Sequence, residues 1–270
     1  MEADRKDSDD VPSKFYKYHS LNGNSALHLI STLLNKEVHF SSPRSFNDPF
    51  DCKPRYAGNL SQENFITHFV RVASARTAYL SPEFLAGQGE KAWINSASQH
   101  GNIQSMILNI QKEMGRNLEH SAIYCVSSRN DDILMWGHYA DSHRGICLEF
   151  DSGSDFLKSA MRVDYEDTRP EVEIFDRDNT VEKMRKSLLV KSSHWKYEKE
   201  WRVVELTKQA GLRKFNDGDL TGIIFGSAIS PSMQNTIAGI AKNHPTPIKF
   251  YNAIPDEFEF KLRIEQLHEN

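Results

Sequence analysis

The chain's 270 residues correspond to one large domain or two small ones, with enough length to bury a real core. Apolar residues make up 39% and the mean hydropathy is -0.59, yet 15 Phe, 9 Tyr and 4 Trp exclude a disordered chain, which is poor in aromatics. Lys and Arg number 33 against 37 Asp and Glu, and the resulting net charge of -4 excludes the broad basic footprint of a general nucleic-acid binder.

No apolar run approaches the roughly 18 residues of a membrane span. The opening MEADRKDSDDVPSK is charged and lacks the apolar stretch of a secretory signal. Cys52, Cys125 and Cys147 are odd in number and far apart, which argues against a disulfide framework and for a soluble protein of a reducing cytoplasm.

Residues 1–13 read as a charged, mobile tail, and residues 14–270 as one α+β domain. The run Phe15-Tyr16-Lys17-Tyr18-His19 has strand character, and Asn22-Gly23-Asn24 signals a turn. A helix follows from Ala26 to Leu34, then a short strand Val38-His39-Phe40 and a loop Phe46-Asn47-Asp48-Pro49-Phe50-Asp51. Residues 61–118 carry apolar side chains at three- and four-residue spacing and read as a helical insertion. Strands are expected over Ser121–Val126, Gly145–Phe150, Met161–Tyr165, Trp201–Leu206, Gly222–Phe225 and Ile248–Tyr251. Helices near Ile133–Ala140, Val181–Leu189 and Ser232–Lys242 interrupt them at irregular intervals, which suits an α+β fold and not a regularly wound parallel sheet.

Two constellations carry potential chemistry. In Trp195-Lys196-Tyr197-Glu198-Lys199-Glu200-Trp201-Arg202, strand alternation would point Glu198, Glu200 and Arg202 the same way. Either Glu200 is closed by a basic neighbour, with Arg202 balancing Glu198, or the two carboxylates face a cleft and stabilise developing positive charge. In Leu134-Met135-Trp136-Gly137-His138-Tyr139-Ala140-Asp141, capped by Asn130 or Asp131, the aromatic stripe is either core or a wall for a planar ring. His138 and His143 do not match a zinc signature, and no Cys-x-x-Cys is present, so no metal is expected. Phosphate-binding glycine loops and a nucleophile elbow are also absent from the sequence.

Together these strings resemble a bacterial family, domain-of-unknown-function family 2971. The resemblance runs over about residues 15–226. It rests on Tyr16-Lys17-Tyr18, Phe40-Ser41-Ser42-Pro43, Phe46 to Cys52, Leu134 to Asp141, His143-x-Gly145 and Trp195-x-Tyr197-Glu198-x-Glu200-Trp201-Arg202. The order of the motifs also resembles the ADP-ribosyltransferase fold, a split mixed β-sheet core.

That second resemblance implies NAD as substrate, with no metal. It assigns a catalytic role to Glu200 at an oxocarbenium-like transition state and gives Glu198 the acceptor. NAD would be held by Tyr18, His19, Ser42, Asn47, Asp48, Ser127, Ser128, Trp136 and Tyr139, with Lys17, Arg44 and Lys191 supplying local positive charge. It implies a toxin-like cytoplasmic effector in anti-phage defence, a protein or nucleic-acid acceptor, and a neutralising or activating protein partner. Glu200→Gln is then expected to abolish NAD turnover while leaving folding nearly intact. The competing expectations are a module that binds a nucleotide or partner without chemistry, and an unrelated hydrolase or structural protein.

Overall fold

The computed structural model describes residues 11–57, 61–77, 79–98, 103–174 and 180–267. Most of the tail expected over 1–13 therefore lies outside the described residues. In chain order the elements are β1 (Lys14–His19), α1 (Gly23–Asn35), β2 (Glu37–Phe40), β3 (Arg55–Ala57), α2 (Gln62–Arg76), α3 (Pro82–Ser98) and α4 (Ile103–Glu119). Next come β4 (Ala122–Ser127), α5 (Ile133–Tyr139), β5 (Ile146–Asp151), β6 (Met161–Arg162), β7 (Asp164–Glu166), β8 (Glu171–Glu173), α6 (Thr180–Leu188) and β9 (Val190–Ser192). The chain closes with β10 (Glu200–Glu205), β11 (Gly211–Lys214), β12 (Leu220–Phe225), α7 (Pro231–Ala241), β13 (Lys249–Pro255) and β14 (Leu262–Gln266).

Two compact units share this chain. The first comprises Met1–Ser45, Ser121–Tyr165 and Ser193–Asn270, and the second Phe46–His120 and Glu166–Ser192. The first unit is built on an eight-stranded mixed sheet in the order β14-β13-β12-β5-β1-β4-β10-β6. Only β12 and β13 run parallel within it; every other neighbouring pair is antiparallel. The architecture is thus α+β with a large mixed sheet.

Both faces of that sheet are covered, which explains why its central strands are apolar on alternate and intervening positions alike. On one face Phe15, Tyr124, Leu148, Phe150, Val203 and Ile223 pack with Leu29 and Leu33 of α1 and Ile237 and Ala241 of α7. Opposite them, Tyr18, Cys147, Ile224, Ala253 and Leu262 pack with Met135 and Trp136 of α5. Side-chain caps set the helix starts: Ser230 accepts from the Met233 amide ahead of Pro231, and Asp132 accepts from the amides of Leu134 and Met135. Asp132, one residue beyond the candidates Asn130 and Asp131, is the cap of α5.

In the second unit α2, α3 and α4 occupy the 61–118 block, and β3 pairs in parallel with β8. Ser61 caps α2 through the Asn64 amide.

Candidate functional site

The strand registers line up one polar row across four strands of the first unit. Tyr16 of β1 lies opposite Glu149 of β5 on one side and opposite Ser127 of β4 on the other. Ser127 in turn lies opposite Glu200 of β10. Directly opposed residues share a face, so Glu149, Tyr16, Ser127 and Glu200 all project toward the α5 side. Thr221 Oγ1 donates to Glu149 Oε1 at 2.7 Å, and burial beside Glu149 pushes the Tyr16 phenol well up.

At the β10 end the two glutamates have different environments. Glu200 is 5% exposed and Arg202 fully buried; Arg202 Nε donates to Glu200 Oε1 at 2.8 Å and its terminal nitrogen to Oε2 at 3.0 Å. The two residues are separated by one position on a strand, so the pleat itself delivers this bidentate pair. The Glu200 amide donates to the Tyr165 hydroxyl at 2.8 Å. Burial, with Glu200 beside it, pushes the Cys125 thiol far up, so Cys125 is no thiolate nucleophile.

Glu198 does not lie on the strand, contrary to the alternation read from the sequence. Ser193–Glu198 forms a 3-10 helix, and Lys199 with φ of 44° turns the chain into β10. Arg202 therefore grips Glu200, its neighbour on the same strand face. Glu198 is 3% exposed, and its Oε1 accepts from the Tyr139 hydroxyl at 2.6 Å. Ser127 Oγ donates to the Glu198 carbonyl at 2.6 Å, and Ser128 Oγ donates to the Lys199 carbonyl at 3.3 Å. Both serines position the backbone of this turn.

The aromatic residues divide into core and surface. Trp136 is buried, donates from its indole nitrogen to the Asn130 carbonyl at 2.8 Å, and meets Tyr18 edge-on at 5.3 Å. Tyr18 is also buried and donates to the Arg129 carbonyl. These two rings are packing residues, and no ring could stack on their faces without opening the core. Tyr139 is half-buried beside an outer cluster that sequence reading did not assign to the site. Ring centroids of His138 lie 6.2 Å from Tyr139, 6.2 Å from Trp195 and 6.1 Å from Tyr197, and His138 Nδ1 is 3.0 Å from the Tyr197 hydroxyl. The signal was present as Trp195-x-Tyr197-Glu198, but reading it as strand pleat, not as a helical turn, hid that the rings meet.

The remaining candidates are dispersed. His19 is three positions beyond Tyr16, an odd step that sends it to the opposite face of the sheet from Glu200, where its Nδ1 lies 3.3 Å from Ser25 Oγ. Lys17 shares that face, with its Nζ 5.1 Å from the Tyr124 ring centroid. Ser42, in the first unit, accepts from the Arg44 amide at the start of the 3-10 turn Pro43–Ser45. Asn47 and Asp48 belong to the second unit; Asp48 is buried and accepts from the Phe50 amide at 2.8 Å. Lys191, also in the second unit, pairs with Asp51 at 3.6 Å. Among the described residues, no three His, Cys, Asp or Glu side chains are grouped to hold a metal ion, and no helix is long and apolar enough to cross a membrane.

Burial, aided by Lys17 and His28, pushes His19 from its ordinary value near 6.5 down to about 3. The unfolded chain takes up this proton as pH falls through 6.5, the folded chain only near 3. Stability is therefore lost as pH falls through that window, at up to about 1.4 kcal/mol per pH unit. Wild type should lose more stability than His19→Gln between pH 7 and pH 4 in urea unfolding. A difference between the two that does not change with pH would contradict this assignment.

Residues 135–203 match the DUF2971 family model. That family is described as a protein of unknown function. No curated protein and no solved structure matches the chain. The DUF2971 match contains Trp136, Tyr139, Glu198, Glu200 and Arg202 together with His138, Trp195 and Tyr197. It does not contain Tyr18, His19, Ser42, Asn47, Asp48, Ser127 or Ser128.

Proposed function

We propose that the protein is a binding module that stacks the planar ring of a nucleotide against the His138, Trp195 and Tyr197 cluster, without turning the nucleotide over. The observation that carries the second half of this reading is the bidentate Arg202–Glu200 pair. A carboxylate already matched by a fixed, buried guanidinium has little field left to offer an oxocarbenium-like centre. Ring stacking is supported by the aromatic cluster, and every base and nicotinamide presents a π-face. Glu198 accepts from Tyr139 beneath the cluster and so holds that ring in place. Lys196 and Lys199 alternate with these residues and bring positive charge for a phosphate.

A second reading keeps the NAD-dependent ADP-ribosyltransferase-like effector, toxin-like and acting in anti-phage defence. It is favoured by one observation: Glu198 is a buried carboxylate in the DUF2971 segment whose Oε1 accepts from the Tyr139 hydroxyl. In that reading Glu198 takes the electrostatic role first given to Glu200.

The two separate in one experiment. NAD and ADP-ribose are titrated against the whole protein with tryptophan fluorescence and calorimetry, and nicotinamide release is followed by chromatography. The binding reading expects saturable binding, no nicotinamide release, and affinity lowered about tenfold or more by Trp195→Ala. Nicotinamide release that disappears in Glu198→Gln would replace it with the transferase. Failure of NAD, ADP-ribose and the common mononucleotides to bind would overturn both.

A further inference from the structure

The eight-stranded sheet ends at β14, and no described strand pairs with the outer edge of β14. Such an edge presents a row of backbone donors and acceptors to any second strand. Arg263 and Glu265 share one face of β14 on either side of Ile264, each with its side chain about half exposed; within the chain Arg263 lies 3.4 Å from Glu265 and 3.4 Å from Asp256. The hairpin that delivers β14 carries Phe258 at 89% and Phe260 at 102% exposure. These two phenylalanines stand on a braced turn: Asp256 accepts from the amides of Phe258 and Glu259 at 2.9 and 3.0 Å. The Asp256 amide donates to the Lys261 carbonyl at 3.0 Å, and the Lys261 amide to the Glu259 carbonyl at 2.8 Å. Ordinary surfaces scatter single apolar residues; two large rings, almost fully exposed and rigidly held, mark an interaction site.

The charge pattern of the edge is its own complement. We propose that two copies of this chain pair antiparallel through β14, about a two-fold axis at Ile264, joining their sheets edge to edge. In an isologous pairing the same patch meets itself, so residue 263 of each copy lies opposite residue 265 of the other. Arg263 of one copy then faces Glu265 of the second copy, twice per interface and on the same face of the joined sheet. The same register sets Leu262 opposite Gln266 and Lys261 opposite Leu267 of the second copy. The hairpin tip with Phe258 and Phe260 therefore reaches past Leu267 of the second copy, which is itself partly exposed. Phe258 and Phe260 then stand at the rim of the joined edge, where covering part of their exposed rings adds apolar contact to two screened ion pairs.

Sedimentation and light scattering on the full chain at about 100 µM, well above a micromolar dissociation constant, test this directly. The expected mass is twice the 30.9 kDa of one chain. Arg263→Glu sets carboxylates opposite each other on both sides of the axis and should give a folded monomer, slightly less heat-stable because it also loses the pairs with Asp256 and Glu265 of its own chain. The double variant Arg263→Glu/Glu265→Arg should restore the dimer with itself, yet not form mixed dimers with wild type. Phe258→Ser/Phe260→Ser should weaken dimerisation at least tenfold. A monomeric wild type, a dimer indifferent to Arg263→Glu, or a double variant that stays monomeric each overturns the proposal.

Discussion

Arg202→Met should destabilise the protein by about 3–5 kcal/mol, a large share of the roughly 5–15 kcal/mol of a typical domain. Arg202 is fully buried in the centre of β10, and both oxygens of Glu200 are bound to its guanidinium. Removing the cation leaves a carboxylate that is 5% exposed deprived of the partner that justified taking it out of water. Chemical denaturation followed by tryptophan fluorescence reads the loss. The double variant Glu200→Leu/Arg202→Met should recover part of it, because exchanging a buried ion pair for apolar side chains costs less than stranding one of its charges. If the single variant is within about 1 kcal/mol of wild type, the pair does not have the structural weight given to it here. The same geometry revises the first expectation for Glu200→Gln. That change takes the negative charge away from a buried guanidinium, so it destabilises the fold, and loss of activity in that variant alone is not a catalytic signature.

Gly145→Ala should be comparably severe, at about 3 kcal/mol or more, since a large overpacking clash against main chain cannot be relieved by a rotamer. A Cβ at Gly145 would stand 2.2 Å from the His19 carbonyl oxygen and 2.9 Å from Ala140 backbone atoms. The cause lies in the turn before it: Asp141, Ser142 and His143 all have positive φ, and the Gly145 amide donates to the Ala140 carbonyl at 2.7 Å. This tight reversal brings the end of α5 against the end of β1. Gly226 is in the same position relative to His143, whose carbonyl oxygen would lie 2.2 Å from an added Cβ. Gly137→Ala, inside α5 with nothing within 4 Å of the new methyl, is the control and should stabilise by up to about 1 kcal/mol. Thermal unfolding of the two variants checks the ordering, and a Gly145→Ala protein as stable as wild type would refute the close approach.

Central elements were legible because their patterns are strong. Phe15 to His19, Gly145 to Phe150 and Gly222 to Phe225 are read as strands and form β1, β5 and β12. The 61–118 spacing is read as helical, and α2 to α4 stand there. Short or edge strands such as β3, β8, β11 and β14 were not read, because three to five residues with exposed faces carry little periodicity. Met161–Tyr165 was read as one strand and is two, β6 and β7.

At the site, the motif that carries Glu198, Glu200 and Arg202 was visible, but the partners of these side chains were not. Lys199 takes a left-handed conformation with no glycine or asparagine to announce it, and that one turn separates Glu198 from the strand. The parity of His19 against Tyr16 was available in the sequence. Its meaning required knowing that Tyr16, Ser127 and Glu200 share a row, and long-range register is not written in local composition.

The place of β1 bears on how the protein is made. It is synthesised before the other described strands of its sheet, yet it is an interior strand of the finished sheet, bounded by β5 and β4. Lys14 meets Asp151 and His19 meets Ile146, so its longest ladder must wait for β5 to be synthesised. At about 5–20 residues per second, that delay is on the order of ten seconds. Throughout it, Phe15, Tyr16 and Tyr18 have no sheet to enter. For that interval the nascent chain carries an uncovered aromatic strand, and an early mispairing there would spoil the sheet it later joins.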